Sequence, residues 1–319
     1  MIIQTPNKRR ENMRTIPTLD ALQRAEVQAA ASPHRFPDGG QYRVEIPSVE
    51  GPDTAALVLN VADELGVPIH RLSQGSGVTM LTDSEIREYV TIGAERHVEI
   101  CLFVGPRAPW DGYSAAALTP DGTNVGWRHV GLRSLRAALD DVRRATSLGI
   151  RSILIADEGL AALIQVDKEN GTLPKDLVVK ASALLGIANP IGAALLAELG
   201  ADSLNVAADT PIGDLAAFRA ATSAYLDLYI EAPDGLGGFM RYHDLGDIVR
   251  VASPVYTKFG LRNAAGIYPA GAHLQQLVHA SATARVRRAR LGLDHLMRQY
   301  PDAVMSPLGV DRRGIPVQQ

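Results

Sequence analysis

One cysteine, Cys101, stands in 319 residues. That excludes an internal disulfide and any metal cluster built from cysteines alone, and it fits a reducing compartment. Positive charge is not in excess: the net charge is −3 and the pI is near 6.2, so the footprint of a nucleic-acid or anionic-membrane binder is missing. No apolar run approaches the roughly 20 residues that cross a bilayer, and the start, Met1 to Arg10, lacks the apolar segment of a secretory signal. The expectation is a cytoplasmic protein with neither a membrane nor a nucleic acid as partner. Several motifs are lacking too. No Gly-x-Gly-x-x-Gly opens the first helix, no Gly-x-Ser-x-Gly elbow occurs, and no histidine pair has zinc spacing. His243 and His273 read as surface or structural residues.

What is present is a repeating alternation. Residues 1–40 stand apart as an N-terminal extension, with a helix from Thr18 to Ala31 and a Pro- and Gly-rich break from Ser32 to Gly40; they read as a leader or a subunit-bridging arm. Strands follow at Tyr42–Pro47, Ile69–Gln74, Val98–Val104, Arg151–Ala156, Val178–Leu184 and Ser203–Ala207, then from Tyr225 and from Pro254. Helices at Pro52–Gly66, Asp83–His97, Gly131–Gly149, Pro190–Gly200 and Pro211–Ser223 lie between them, and Thr283–Tyr300 closes the series. Short apolar strands alternating with Gly-ended helices argue for a parallel sheet with helices outside, and eight repeats argue for closure into a (β/α)8 TIM-like barrel over residues 41–300. The tail, 301–319, reads as a loosely packed surface segment.

In such barrels chemistry is carried at the carboxyl ends of the strands. The polar residues there are Glu45, Gln74, Arg107, Asp157, Glu158, Lys180, Asn205, Asp209, Glu231, Asp234, Lys258, Arg262 and Asn263. Lys180 and Lys258 each interrupt an apolar strand, where an unpaired ammonium is costly. They are expected to bind an anion, move a proton or form a Schiff base, with a structural ion pair as the bland alternative. Glu45 and Glu231 are the proton-transfer candidates or, with Glu158, ligands for a divalent metal; a salt bridge across the barrel is the alternative. Gln74, Arg107, Asn205, Arg262 and Asn263 are substrate-binding candidates. The loop Asp234-Gly-Leu-Gly-Gly follows strand seven, where backbone amides often hold phosphate. The connection from Gly105 to Val130 carries Trp110, Tyr113 and Trp127 and reads as a lid over the mouth or a subunit contact.

The order of segments resembles the U32 peptidase family of collagenase-like proteases. The resemblance spans about Glu45 to Asn263 and rests on Ile46-Pro47-Ser48, Gln74-Gly75-Ser76-Gly77, Asp157-Glu158-Gly159-Leu160, Lys180-Ala181-Ser182, Asn189, Ala197-Glu198-Leu199-Gly200 and Ile230-Glu231-Ala232-Pro233. It implies the barrel fold and, by the family's name, a hydrolase. Lys180 and Glu231 stand where the family has histidine, and Phe239 to Asn263 lacks the cysteines that hold an iron–sulfur cluster in some branches, so no cluster is implied here. The residues themselves leave hydrolase, lyase, aldolase and isomerase open for a small polar or anionic substrate. A non-catalytic subunit of a larger complex and a homo-oligomer are open as well.

Overall fold

In a computed structural model, described over residues 16–105 and 127–318, eight parallel strands close into one barrel in chain order. They are β1 Tyr42–Pro47, β2 Arg71–Gln74, β3 Glu99–Phe103, β4 Ser152–Ile155, β5 Val178–Ala181, β6 Ser203–Asn205, β7 Tyr225–Glu231 and β8 Val255–Phe259. Register runs Glu45 to Arg71, Arg71 to Glu99 and, at the closing seam, Glu45 to Lys258. The outward-facing residues, among them Val44, Ile46, Leu72, Ile100, Leu102, Ile153, Val179, Leu204, Leu226 and Leu228, form a buried layer under the helices. That layer is the main apolar core, and it lies outside the barrel.

The helices around it are α1 Leu19–Gln28, α2 Pro52–Leu65, α3 Asp83–Arg96, α4 Gly131–Ser147, α5 Glu158–Glu169, α6 Pro190–Glu198, α7 Ile212–Ala221, α8 Leu245–Ala252 and α9 Gln275–Gln299. Local chemistry sets their ends. Thr82 and Glu85 form a reciprocal capping box on α3, Asp157 caps α5, and Gly66 ends α2 at φ +62°. One helix departs from the sequence reading: α9 begins eight residues before Thr283. Its start, at Leu274, has no side-chain cap, so the sequence carries no start signal there.

The segment just before β1 and the C-terminal tail close the amino-terminal face of the barrel. Phe36 is buried 4.7 Å from the Tyr225 ring and 5.4 Å from Tyr256, with the Arg43 guanidinium 4.1 Å from its centroid. Arg43 also pairs with Asp38 at 2.8 Å and with Asp311 of the tail at 2.9 Å. The tail is therefore not loosely packed. Ser306 and Ile315 are buried, Met305 bridges Tyr42, and the Val317 amide donates to the Gly149 carbonyl at 2.9 Å. Alternating polar and apolar residues in the tail look like a surface segment in sequence, because the partners that bury them, such as Gly149, Tyr42 and Asp38, lie far away in the chain.

Candidate active site

Barrel interiors of this class are commonly filled with branched apolar side chains. This one is filled with charge. Because side chains alternate along a strand, the inward positions are Arg43 and Glu45 on β1, Arg71 and Ser73 on β2, Glu99 and Cys101 on β3, Lys180 on β5, Ser203 and Asn205 on β6, Asp227 and Tyr229 on β7, and Tyr256 and Lys258 on β8. Three carboxylates (Glu45, Glu99, Asp227) face three cations (Arg71, Lys180, Lys258), all buried. The fourth inward cation, Arg43, pairs at the amino-terminal end with Asp38 and Asp311, so each buried charge finds a counter-charge.

Arg71 occupies the centre. It lies 2.8 Å from Glu99, 2.9 Å from Asp227 and 3.3 Å from Glu45, with its guanidinium carbon 3.5 Å from the Tyr256 ring centroid. Tyr256 donates to Glu99 at 3.0 Å, and Ser203 to Asp227 at 2.6 Å. Above Arg71, toward the carboxyl ends, Glu45 is held between two ammonium groups. Lys180 contacts it directly, Lys258 sits 3.2 Å from its other oxygen, and Ser73 donates to that oxygen at 2.8 Å. Lys180 is also 3.8 Å from Asp227. The Lys258 ammonium lies 4.4 Å from the Tyr229 ring centroid.

These contacts set the protonation states. Burial alone would raise the Glu45 carboxyl, but Lys180, Lys258 and Arg71 together override it and hold it well below the usual carboxylate range. Burial lowers the Lys180 ammonium from its usual value; Asp227 and Glu45 oppose that, while Lys258 and Arg71 reinforce it. The two shifts share one geometry: Glu45 touches three cations, whereas Lys180 touches two carboxylates that Arg71 also engages and, at Glu45, Lys258 as well. Burial pushes the Cys101 thiol up to about 11, so the one cysteine is not a ready nucleophile.

Of the residues read from the sequence as catalytic, Glu45, Lys180 and Lys258 come together, and Glu231 does not join them. The register slips between Tyr229 and Glu231, so that Glu231 pairs with Phe259 and its side chain leaves the interior. Its carboxylate instead accepts from Tyr242 at 2.6 Å and from the Arg262 amide at 2.9 Å, and pairs with Arg288 at 3.1 Å. Glu158 is an exposed partner of Arg128. The three metal candidates Glu45, Glu158 and Glu231 thus do not converge, and among the described residues no group of three His, Cys, Asp or Glu side chains is placed to hold a metal.

The substrate-binding candidates also separate. Asn205, buried on β6, donates from Nδ2 to the Ala181 carbonyl at 3.2 Å, and its Oδ1 is buried without a partner. Gln74 folds back onto the Gly77 backbone and lines a cavity of about 300 Å³ beside the barrel, between the loops after β1 and β2 and the start of α9. Arg262 and the Asn263 amide are clasped by exposed Asp234. The glycine loop forms no phosphate cradle, since the Leu236, Gly237 and Gly238 amides all bond carbonyls within the turn. Arg107, Trp110 and Tyr113 lie outside the described residues. Trp127 packs, partly buried, on the Cys101, Phe103, Leu154 and Ala156 cluster of the barrel.

Arg285 and Arg71 were not singled out in sequence. Arg285, on α9, is buried; its Nη1 donates to the Ser48 carbonyl at 3.4 Å and its Nε has no partner. Ser48 holds φ +61° at the end of β1 and meets the Tyr268 hydroxyl through its own; strained non-glycine backbone of this kind clusters at functional sites. Gly75 is required beside them, because a Cβ there would lie 2.8 Å from the Tyr268 ring. The available signal for Arg71 was the period-two placement of a polar residue on almost every strand. Nothing in the sequence places Arg285 beside β1.

No protein-family profile matches this chain, and no curated protein is similar to it in sequence. Solved structures are similar in fold. A U32 peptidase structure shares 19% identity over 63% of this chain and 73% of its own, with a TM-score of 0.40. A truncated 3-deoxy-D-arabino-heptulosonate 7-phosphate synthase from Thermotoga maritima shares 12% identity over 88% and 96%, with a TM-score of 0.46. A 2,3-dimethylmalate lyase, of the PEP mutase/isocitrate lyase superfamily, shares 11% identity over 66% and 71%, with a TM-score of 0.37.

Proposed function

We propose that this barrel is an enzyme of carbonyl chemistry, of the lyase, aldolase or isomerase kind, acting on a small anionic substrate at the carboxyl end of its strands. One observation carries the reading: a fully buried lysine, Lys180, with a lowered pKa, in contact with a carboxylate shared with a second lysine. A buried amine whose proton is held less tightly than an exposed lysine's is suited to act as a nucleophile or base. In this reading Lys180, once neutral, adds through Nζ to a substrate carbonyl carbon. Lys258 then protonates the carbinolamine hydroxyl, water leaves and a protonated imine forms; the electron pair of the adjacent C–C or C–H bond passes into that iminium as the carbon fragment or the proton departs. Glu45, held ionised, orients the two amines rather than carrying the proton. Lys258 holds the developing oxyanion, and Arg285 supplies the substrate-anion charge that Arg262, clasped by Asp234, does not. Peptide hydrolysis has the family resemblance behind it and no feature of this geometry.

Borohydride trapping tests it. With pyruvate, glyoxylate and glyceraldehyde 3-phosphate as probes, intact mass should show one reduced adduct, mapping to Lys180 and absent in Lys180→Met. The trapping rate should climb at lower pH than for exposed lysines such as Lys175. Adducts spread over surface lysines, or none that maps to Lys180, would sink the reading.

A further inference from the structure

Lys180 and Lys258 are sealed in. Their side chains are 0% and 4% exposed, so a carbonyl compound reaches them only when a covering segment moves. The connection from β8 to α9, residues 260–274, lies over this end of the barrel. Its Tyr268 is close enough to Tyr229 and Arg285 for their charges to be felt, and the Tyr229 ring centroid is 4.4 Å from the Lys258 ammonium.

The base of this connection is fixed. The Gly260 amide donates to the Glu231 carbonyl, and the Arg262 and Asn263 amides donate to the Glu231 and Asp234 carboxylates. Beyond Asn263 the holds are of another kind. The Tyr268 ring rests on Gly75, its hydroxyl meets that of Ser48, and the Ala270 amide donates to Ser76 Oγ at 2.8 Å. These are latches to the loops after β1 and β2, not a helix or sheet ladder. From 264 to 274 only Ile267 is buried, and Tyr268 is already 40% exposed, so swinging the segment out strips little apolar contact. A Cβ at Gly266 would meet nothing, so packing does not demand that glycine, and backbone freedom is what it adds. The cavity of about 300 Å³ lies against Ala270, Gly271 and Ala272, which leaves the segment room to move.

We propose that residues 264–271 form a strap that gates the lysine site, latched by Tyr268 on Ser48 and Gly75 and hinged at Gly266 and Gly271. Small residues at the ends of a moving loop absorb its change of backbone angle. Closure would keep bulk water from an imine on Lys180. The purpose of the gate rests on Lys180 being the reacting amine, whereas its movement can be read without that chemistry.

The test cross-links the strap in the full chain. Ser76→Cys with Ala270→Cys sets two thiols where the Ala270 amide now meets the Ser76 hydroxyl. The oxidised protein is compared with the same protein reduced and desalted. Reductive methylation with formaldehyde and cyanoborohydride, which leaves disulfides intact, reads access to each lysine by peptide mass. Lys180 and Lys258 should label roughly tenfold more slowly in the oxidised protein, while exposed Lys175 labels equally in both. Tyr268→Ala, which removes the latch, should label both buried lysines faster than the unaltered chain. Pyruvate in place of formaldehyde separates the two readings. A lock that slows methylation while pyruvate leaves no adduct on Lys180 keeps the gate and sinks the carbonyl chemistry. Equal methylation of Lys180 and Lys258 in the two states, or no disulfide between positions 76 and 270, would overturn the gate.

Discussion

Lys180 and Lys258 show how the cost of burying charge can be read both ways. From sequence, each is an ammonium in an apolar strand that must find a carboxylate. The structure supplies one, Glu45, and makes it serve both. Because all three groups are buried, removing the carboxylate leaves two ammonium groups and Arg71 facing only Asp227 and Glu99. Loss of one partner from a buried ion network costs about 3–5 kcal/mol. Glu45→Gln is therefore expected to lower unfolding stability by that amount in urea titration, and Glu45→Gln with Lys180→Met, which restores charge balance, to recover most of it. A single substitution costing under about 1 kcal/mol would mean that the network is not the buried, tightly coupled one described. Glu45, Lys180 and Lys258 were legible because charge on an apolar strand is conspicuous. Glu231 looked the same and sits elsewhere, because a one-residue slip in β7 has no signature in composition.

At the scale of elements, strand and helix limits were legible wherever a cap or glycine marked them. Strand β1 runs Tyr42–Pro47 in both readings, and α2 and α3 end within a residue of expectation. The uncapped start of α9 was not. That helix crosses the outside of β8, and Gly292 permits the approach: a Cβ there would lie 2.3 Å from the Phe259 ring. Alanine is the better helix former by about 1 kcal/mol, whereas overpacking a filled core costs about 1–3 kcal/mol. Phe259 is fully buried between β8 and α9 and has little room to turn, so overpacking wins. Gly292→Ala should lower Tm by a few degrees; a rise would show that the helix stands further from β8. The same element carries Arg285 and Arg288, so a displaced α9 also shifts the groups beside Ser48 and Glu231.

The barrel's charged, packed interior is closed at its amino-terminal face by the segment before β1 and the C-terminal tail, and His70 records that closure. Its Nδ1 accepts from the Val44 amide at 3.1 Å and its Nε2 faces the Ser306 carbonyl at 2.8 Å. The proton must therefore sit on Nε2, and a second proton on Nδ1 would oppose the Val44 N–H. Burial pushes its pKa from 6.5 down to about 4; the Ser306 carbonyl and Asp38 resist that, and Arg43 adds to it. Between those values the unfolded chain binds more protons than the folded one, so stability falls as pH falls. The loss begins near pH 7 and is complete near pH 4, at roughly 3 kcal/mol for the shift. His70→Gln should be less stable at pH 7 through the lost bonds and should lack this part of the acid slope. Urea unfolding of both proteins at pH 7.5, 6, 5 and 4.5 separates the two effects, since the other titrating groups are common to both. Curves that stay parallel across that window would mean that His70 is solvated and that the tail does not seal the barrel. Converging curves would make the tail's Ser306 part of the folding unit, and removal of residues 301–319 should then reproduce the loss of the His70 slope.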